Sequence, residues 1–109
     1  MFRASHRFAR ISPRKVRPIA RLVRGLTVRE ALETLRLIPN RGARLLERVI
    51  ASARANADDQ GHRRPDRLVV SRVRVDDGPR MKRIQPRARG MAFLIRRRMA
   101  HITVELDEE

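Results

Sequence analysis

The stretch GPRMKRIQPRARG, residues 78–90, lies between two segments that have the alternation of β-strands. It carries five positive charges and no acid, and its two prolines and two glycines make it a poor helix. Its apolar residues follow neither a helical nor a strand period. If the flanking strands pair antiparallel, residues 69–106 form one long hairpin centred near Arg87 and Ala88.

The two flanking strands are predicted from residues that alternate in character along the chain. In the first strand, one face is predicted to hold Val69, Ser71, Val73 and Val75, and the other Val70, Arg72 and Arg74. In the second strand, Ile102, Val104 and Leu106 alternate with His101, Thr103 and Glu105. Each pattern is typical of a half-buried strand.

The length of this hairpin sets a geometric constraint. An arm of roughly 17 residues spans on the order of 50 Å, at about 3.3 Å per residue. A domain of this size has a radius of gyration of only about 13 Å. The distal half of the hairpin must therefore project, and a projecting two-stranded arm is marginal alone in water. The arm needs a partner, and its charge predicts an anionic one.

The composition indicates a polyanionic partner for the whole chain. Its 109 residues suit one domain with a modest core, yet the net charge is +15. Twenty-five of the 27 basic residues are arginine, whose planar fork binds two phosphate oxygens at once. A codon bias toward arginine is the alternative explanation. The sequence has no cysteine, which excludes disulfides and thiolate metal sites, and no apolar run approaches a membrane span.

Two segments hold nearly all of the excess positive charge. Residues 1–24 and residues 78–103 each carry eight basic groups and no acid. Residues 25–77 carry eleven basic and eight acidic groups, and residues 104–109 carry four acids. The arginine-rich, acid-free start is also typical of a mitochondrial transit peptide. That alternative is weakened because the same residues are needed for a strand and a helix.

Three helices are predicted between a short strand at 3–11 and the hairpin. The first begins at Ser12-Pro13, has Val16, Ile19, Ala20 and Val23 on one face, and ends near Gly25. The second begins with a Thr27–Glu30 capping box and carries Ala31, Leu32, Leu35 and Ile38. The third has Ala43, Leu46, Ile50, Ala53 and Ala57 on one stripe, with Leu45 and Val49 beside it.

Arginines recur at helical spacing on the first and third helices. They are Arg14, Arg17, Arg21 and Arg24 on the first, and Arg41, Arg44 and Arg48 on the third. A solvated face is the simple interpretation, but solvated faces mix the two signs, and the first helix has no acid. A polyanion-binding surface is therefore favoured. The three phenylalanines are too few for base-stacking platforms, so phosphate and sugar contacts to a folded nucleic acid are expected.

No residue pattern indicates catalysis or a metal site. His6, His62 and His101 are far apart without ligand-like spacing, and the pairs Asp58-Asp59 and Asp76-Asp77 suit turns and caps. The sequence contains no glycine-rich phosphate loop, nucleophile elbow or zinc signature. We expect a protein that is not an enzyme and has no cofactor, metal or small-molecule substrate.

The chain resembles the bacterial-type L twenty-two family of large-subunit ribosomal proteins over nearly its whole length. The resemblance lies in ISPRKVR (11–17), LVRG (22–25), SARANA (52–57), VDDGP (75–79), KRIQPRARG (82–90) and HITV (101–104). The order of these motifs makes it specific. Three positions depart from the family pattern: Pro18, Met91 in place of arginine, and Ala100 in place of serine.

The resemblance implies an α+β fold of three helices packed on a small antiparallel sheet, with a long protruding β-hairpin. It implies a single domain, 1–109, with a globular part at 1–76 and 100–109 and an extended arm at about 77–99. The implied function is structural: the globular part binds large-subunit rRNA, and the basic arm reaches into the polypeptide exit tunnel. The implied role includes support of subunit assembly.

The charge pattern and the resemblance together define the expected site residues. Expected rRNA-binding residues are Arg10, Ser12, Arg14, Lys15, Arg17, Arg21, Arg24, Arg41, Arg44, Arg48, Arg80, Lys82, Arg83, Arg87, Arg89, Arg96, Arg97, Arg98 and His101. Expected tunnel-lining residues are Met81, Lys82, Arg83, Arg87, Ala88, Arg89 and Gly90. The first three of these match the family's segment near the tunnel narrowing and the macrolide-sensitive region.

The implied partners are large-subunit rRNA, neighbouring ribosomal proteins and the nascent polypeptide, with no membrane. The implied location is the cytoplasmic ribosome, with an organellar ribosome as an open alternative. Two other functions remain open: a free RNA- or DNA-binding chaperone outside the ribosome, and a secreted cationic membrane-active protein. The last would need amphipathic helices with bulky apolar faces, whereas this chain concentrates charge on a hairpin.

Overall fold

The computed structural model describes the backbone of residues 1–79, 81–86, 90 and 92–108, and the side chains of residues 1–79, 90 and 98–108. The elements, in chain order, are β1 (Phe2–Ala9), α1 (Pro13–Val23), α2 (Val28–Arg36), α3 (Arg41–Asp59), a 3-10 turn (Pro65–Arg67), β2 (Val69–Asp77), β3 (Met81–Pro86), β4 (Ala92–Arg97) and β5 (Ala100–Asp107). The molecule is elongated, with principal extents of 63 × 25 × 16 Å.

Strand β5 lies in the middle of a three-stranded antiparallel sheet of order β1-β5-β2. Its alternate residues Ala100, Ile102, Val104 and Leu106 are fully buried, as the alternation predicts for the last three. A small apolar residue suits position 100, because it leaves no polar side-chain group to be satisfied in the core.

The three helices cover one face of this sheet. Every residue of the predicted apolar stripes on α1 and α3 is buried, and so are Ala31, Leu32 and Leu35 of α2. The helix starts follow the sequence: Pro13 is the first residue of α1, and the Thr27 hydroxyl accepts from the Glu30 N–H at 3.3 Å. Gly25 ends α1 with a φ of 82°, the left-handed conformation that glycine adopts without strain. The predicted α+β fold of three helices on a small antiparallel sheet is confirmed.

The predicted faces of β2 are wrong for the residues up to and including Ser71, and correct for the residues that follow it. Val70 pairs with Leu106 and Arg72 with Glu105, so Ser71 is an extra residue, a β-bulge. The bulge reverses the alternation: Val70 is buried and Ser71 exposed, whereas Val73 and Val75 are buried as predicted. A single inserted residue moves every earlier side chain to the opposite face.

The hairpin continues beyond the sheet as β3 paired antiparallel with β4. The last described pair is Pro86 with Ala92, and the predicted centre of the hairpin near Arg87 and Ala88 lies outside the described residues. Where the two ladders join, the Gly78 N–H donates to the Met99 carbonyl at 2.8 Å. A Cβ on Gly78 would lie 3.1 Å from that carbonyl oxygen, so a larger residue here would require the backbone at Met99 to shift by a few tenths of an ångström.

The edge of β2 that does not face β5 is covered by the residues that follow α1. Residues 25–28 form a short ladder with residues 68–70, through the bonds Gly25 N to Val70 O, Val70 N to Leu26 O and Val28 N to Leu68 O. Beyond this ladder, two arginine side chains of α1 and its C-cap continue the closure. An open strand edge invites pairing with other chains, and this one is covered along much of its length.

Arg24 and Arg17 satisfy two carbonyls of the β2 edge. Arg24 Nη2 donates to the Val73 oxygen at 2.7 Å, and Arg17 donates to the Val75 oxygen through Nη2 at 3.1 Å and Nε at 3.3 Å. Arg17 also lies 3.8 Å from an Asp77 carboxylate oxygen. These two arginines therefore fix α1 against β2.

The arginines of α1 fall into two rows because a helix turns about 100° per residue. Arg17 and Arg24, seven residues apart, form the row that faces β2. Arg14 and Arg21 form a second row, rotated by about 60° toward solvent. The sequence spacing suggested one basic stripe. The structure separates it into an inner row bonded to the β2 edge and an outer row without such bonds, although the residues of both rows are exposed.

This separation predicts different effects on stability. Replacing Arg17 and Arg24 together by methionine should lower the free energy of unfolding by about 1 kcal/mol per arginine, since each leaves a carbonyl without its donor. The matched pair Arg14→Met and Arg21→Met should change it by no more than about 0.5 kcal/mol. Urea unfolding of both double variants measures the difference. Equal losses in the two variants would contradict the structural role of the inner row.

Candidate nucleic-acid interface

The outer side of α1 presents cations that the protein itself does not use. The side chains of Arg14, Lys15 and Arg21 are exposed. Across the residues whose side chains the structure describes, none of the three takes part in a side-chain hydrogen bond or an ion pair. Because α1 contains no acid, this surface has no local compensation for its charge.

The arginines of α3 are also of two kinds: two are exposed without a described partner, and one is bonded within the protein. Arg41 and Arg48 are exposed, and neither pairs with a described side chain. Arg44 is used internally: its Nη2 donates to the carbonyls of Leu35 and Ile38, the latter at 2.8 Å, and its Nη1 lies 3.4 Å from Glu47. It therefore ties the end of α2 to the start of α3.

A close approach of α1 and α3 brings the two sets of cations to one region. A Cβ on Gly42, at the start of α3, would lie 3.2 Å from Ile19 Cδ1 and 3.5 Å from Ile11 Cδ1. Gly42 is adjacent in sequence to Arg41, and Ile11 to the exposed Arg10. We call the six cations the α1–α3 face: Arg10, Arg14, Lys15, Arg21, Arg41 and Arg48.

Two other expected binding residues have a place in the fold itself: His101 bonds to the backbone of β1, and Ser12 precedes the first turn of α1. His101 is half-buried, its Nδ1 accepts from the Phe8 N–H at 3.0 Å, and its ring meets the Phe8 ring edge-on at 4.9 Å. Phe8 has a φ of 59° in the bulge between His6 and Ala9, so His101 supports a strained turn of the strand. Ser12 is the N-cap residue of α1 by position, but its hydroxyl makes no capping bond.

The expected residues of the arm are only partly described. The backbone pairs Met81 with Arg97, Lys82 with Arg96 and Arg83 with Ile95. Arg98 is exposed at the base of the arm, and Gly90 has a φ of 71°. The expected residues Arg80, Arg87, Ala88 and Arg89, and the departure Met91, lie outside the described residues.

Sequence reasoning missed one group of cations. Arg29, Arg63, Arg64 and Arg67 line a common cleft near the start of α2. Arg29 is 34 residues from Arg63, and no helical or strand period connects the four. The available signal was local: residues 62–67, HRRPDR, place three arginines around a single acid.

The described residues also bear on metal binding and on membrane insertion. Among residues 1–79 and 98–108, no three histidine, aspartate or glutamate side chains lie close enough together to hold a metal ion. No helix in the described part of the chain combines the length and the apolar character needed to cross a membrane.

Comparison with known proteins identifies the family. Residues 4–107 match the family model described as ribosomal protein L22p/L17e. The chain is 56% identical to the large ribosomal subunit protein uL22 of Rhodopirellula baltica over 110 residues, covering 96% of this chain and 92% of that protein. It is 50% identical to the protein of that name from Caldicellulosiruptor saccharolyticus, covering 96% and 86%, and 51% identical to that from Roseiflexus castenholzii, covering 97% and 94%. The chain therefore belongs to the ribosomal protein L22p/L17e family, whose members are structural ribosomal proteins and not enzymes.

Proposed function

We propose that this protein is a structural component of the large ribosomal subunit that binds rRNA through the α1–α3 face. One observation carries the proposal: six cations on α1, on α3 and just before α1 are exposed, and none has an acidic partner among the described side chains. The start of α3 packs against α1 at Gly42, which places these two helices side by side. The relatives are named as large ribosomal subunit proteins, which supports rRNA as the polyanion. Its location would be the ribosome of the cytoplasm.

The chemistry of this face suits the backbone of a folded RNA. Arginine binds two phosphate oxygens in a planar fork, and such contacts position a protein without reading bases. The exposed side chains on the outer side of α1 include no aromatic residue, so the stacking that single-strand binders need is not available there. Neighbouring ribosomal proteins would complete the surroundings.

We further propose that the arm lines the polypeptide exit tunnel, with Met81–Arg83 and residues 87–90 at the tunnel wall. The long axis of 63 Å and the continuation of the hairpin from β2 and β5 into β3 and β4 support an arm of sufficient reach. The nascent polypeptide would then be a partner. In this division, residues 1–76 and 100–109 anchor the protein, residues 77–99 reach into the subunit, and early anchoring supports assembly.

Removing cations from the α1–α3 face should weaken rRNA binding without unfolding the protein. For the triple variant Arg14→Gln, Lys15→Gln and Arg21→Gln, we expect the slope of log affinity against log salt to shrink by about 2 to 3, at 0.7–0.9 per lost phosphate contact. Filter binding to large-subunit rRNA at several salt concentrations measures this slope.

The matched control removes the same charge elsewhere, through Arg3→Gln, Arg7→Gln and Arg36→Gln. Far-UV circular dichroism should be unchanged for both triple variants. Equal slopes for the two would contradict the α1–α3 face as the binding surface. If all of the wild-type protein sediments outside the large-subunit fractions of a sucrose gradient, a free nucleic-acid chaperone would be supported instead.

Deleting Met81–Arg83 should separate anchoring from the function of the arm. These residues belong to β3, whose backbone pairs with β4 outside the three-stranded sheet that the helices cover, so we expect incorporation into subunits to persist. Removal of three residues, an odd number, from one side of the ladder shifts the faces of the rest unless a bulge absorbs the change.

The measurements are subunit occupancy on sucrose gradients and macrolide sensitivity or nascent-chain pausing of the resulting ribosomes. We expect normal occupancy with an altered drug or pausing response. Exclusion of the deletion variant from subunits would mean that the arm is the anchor, and would overturn the proposed division between anchor and arm.

A further inference from the structure

A second arginine cluster lies around a cleft of about 370 Å³ beside the start of α2. Its lining includes Arg29, Arg63, Arg64 and Arg67, together with Thr27 and one acid, Asp66. None of the four arginines belongs to the α1–α3 face.

The single acid in this cleft does not balance its arginines. Asp66 Oδ1 lies 3.0 Å from Arg54 Nε, so an arginine from α3 already pairs with it. Arg29 pairs with Glu33 at 3.3 Å, but both side chains are largely exposed and such a pair is weak in water. Arg63, Arg64 and Arg67 form no side-chain hydrogen bond or ion pair with any side chain that the structure describes.

The backbone that carries these arginines is held by several hydrogen bonds. The Arg64 N–H donates to His62 Nδ1 at 3.2 Å, and the 3-10 turn is closed by Arg67 N to Arg64 O at 3.1 Å. The next residue, Leu68, is buried, and its carbonyl accepts from Val28 N at 2.8 Å. A binding surface on such a supported turn needs little ordering when a ligand arrives.

A second basic hollow lies at the other end of the short ladder between residues 25–28 and 68–70. It has a volume of about 470 Å³ and is lined by Arg24, Arg72 and Arg74. Three residues of ladder separate the two hollows, on the order of 10 Å.

The lining indicates what kind of ligand fits. The cleft contains no large apolar or aromatic side chain, whereas peptide and small-molecule sites are lined mainly by such residues. Several arginines with free guanidinium groups around an open cleft suit the oxygens of phosphates. A phosphate backbone therefore fits this surface better than an acidic peptide does.

The cleft and the α1–α3 face occupy different positions along α3. Arg54, which reaches Asp66 in the cleft, follows Arg41 by 13 residues of α3. At 1.5 Å per residue, that is about 20 Å along the helix. Arg48, the other member of the face on α3, precedes Arg54 by six residues, or about 9 Å along the helix.

We propose that the cleft lined by Arg29, Arg63, Arg64 and Arg67 is a second phosphate-backbone site, which binds a segment of RNA different from the one on the α1–α3 face. The inference rests on the proposed function only in taking rRNA as the polyanion. With both sites occupied, the globular part holds two RNA segments at a fixed separation.

The test is the full-chain triple variant Arg63→Gln, Arg64→Gln and Arg67→Gln. We expect its salt slope for large-subunit rRNA to shrink by about 2 to 3, at 0.7–0.9 per lost contact, with unchanged circular dichroism. The control triple at Arg3, Arg7 and Arg36 should leave the slope near that of the wild type. Hydroxyl-radical footprinting should show lost protection at nucleotides that differ from those lost with the Arg14, Lys15 and Arg21 triple.

Two results would overturn the proposal while leaving the proposed function intact. One is a slope equal to that of the control, with normal binding of RNA. The other is loss of protection at the same nucleotides as in the α1 variant, which would indicate one surface. An unchanged RNA slope together with weaker binding of a poly-glutamate peptide would assign the cleft to an acidic protein. A flat salt response of the wild-type protein would instead defeat the proposed function itself.

Discussion

Strand β5 pairs with β1 on one side and with β2 on the other, and its alternate residues are buried under the helices. This one strand fixes the register of both neighbours, because a slip by one residue would turn Ile102, Val104 and Leu106 to solvent. Since β2 and β5 are also the two stems of the hairpin, the same pairing sets where the arm leaves the sheet. At that point the Gly78 N–H donates a hydrogen bond to the Met99 carbonyl.

The central position of β5 makes β2 an edge strand, and that edge determines how the arginines are used. Part of the edge is covered by the backbone of residues 25–28, and the next two carbonyls are covered by Arg17 and Arg24. Arginines that close the edge hold α1 in place, and α1 in turn displays its other cations to solvent. The large positive charge is therefore not one undivided surface: part of it stabilises the fold, and the remainder is available for phosphate.

Much of the fold could be predicted from sequence because its helices and its central strand have strong periodicity. The bulge at Ser71 could not, since Val69 and Val70 are both apolar and either of them could take the buried face. The site was predicted at the level of elements rather than residues. The helical spacing predicts one stripe of arginines on α1. Only the packing of α1 against β2 shows that Arg17 bonds to the sheet and that Arg14 does not. The basic cleft lacks any period, so its arginines converge only when α2 meets the 3-10 turn.

The central claim is that the fold assigns the arginines of α1 to two roles, and a structure of the protein bound in the large subunit tests it most directly. The distances from each guanidinium to RNA phosphate oxygens and to the β2 carbonyls are the quantities to measure. We predict that Arg14 and Arg21 lie within hydrogen-bonding distance of phosphates, while Arg24 remains on the Val73 oxygen. A structure in which Arg24 contacts a phosphate while Arg14 and Arg21 remain in solvent would contradict this assignment.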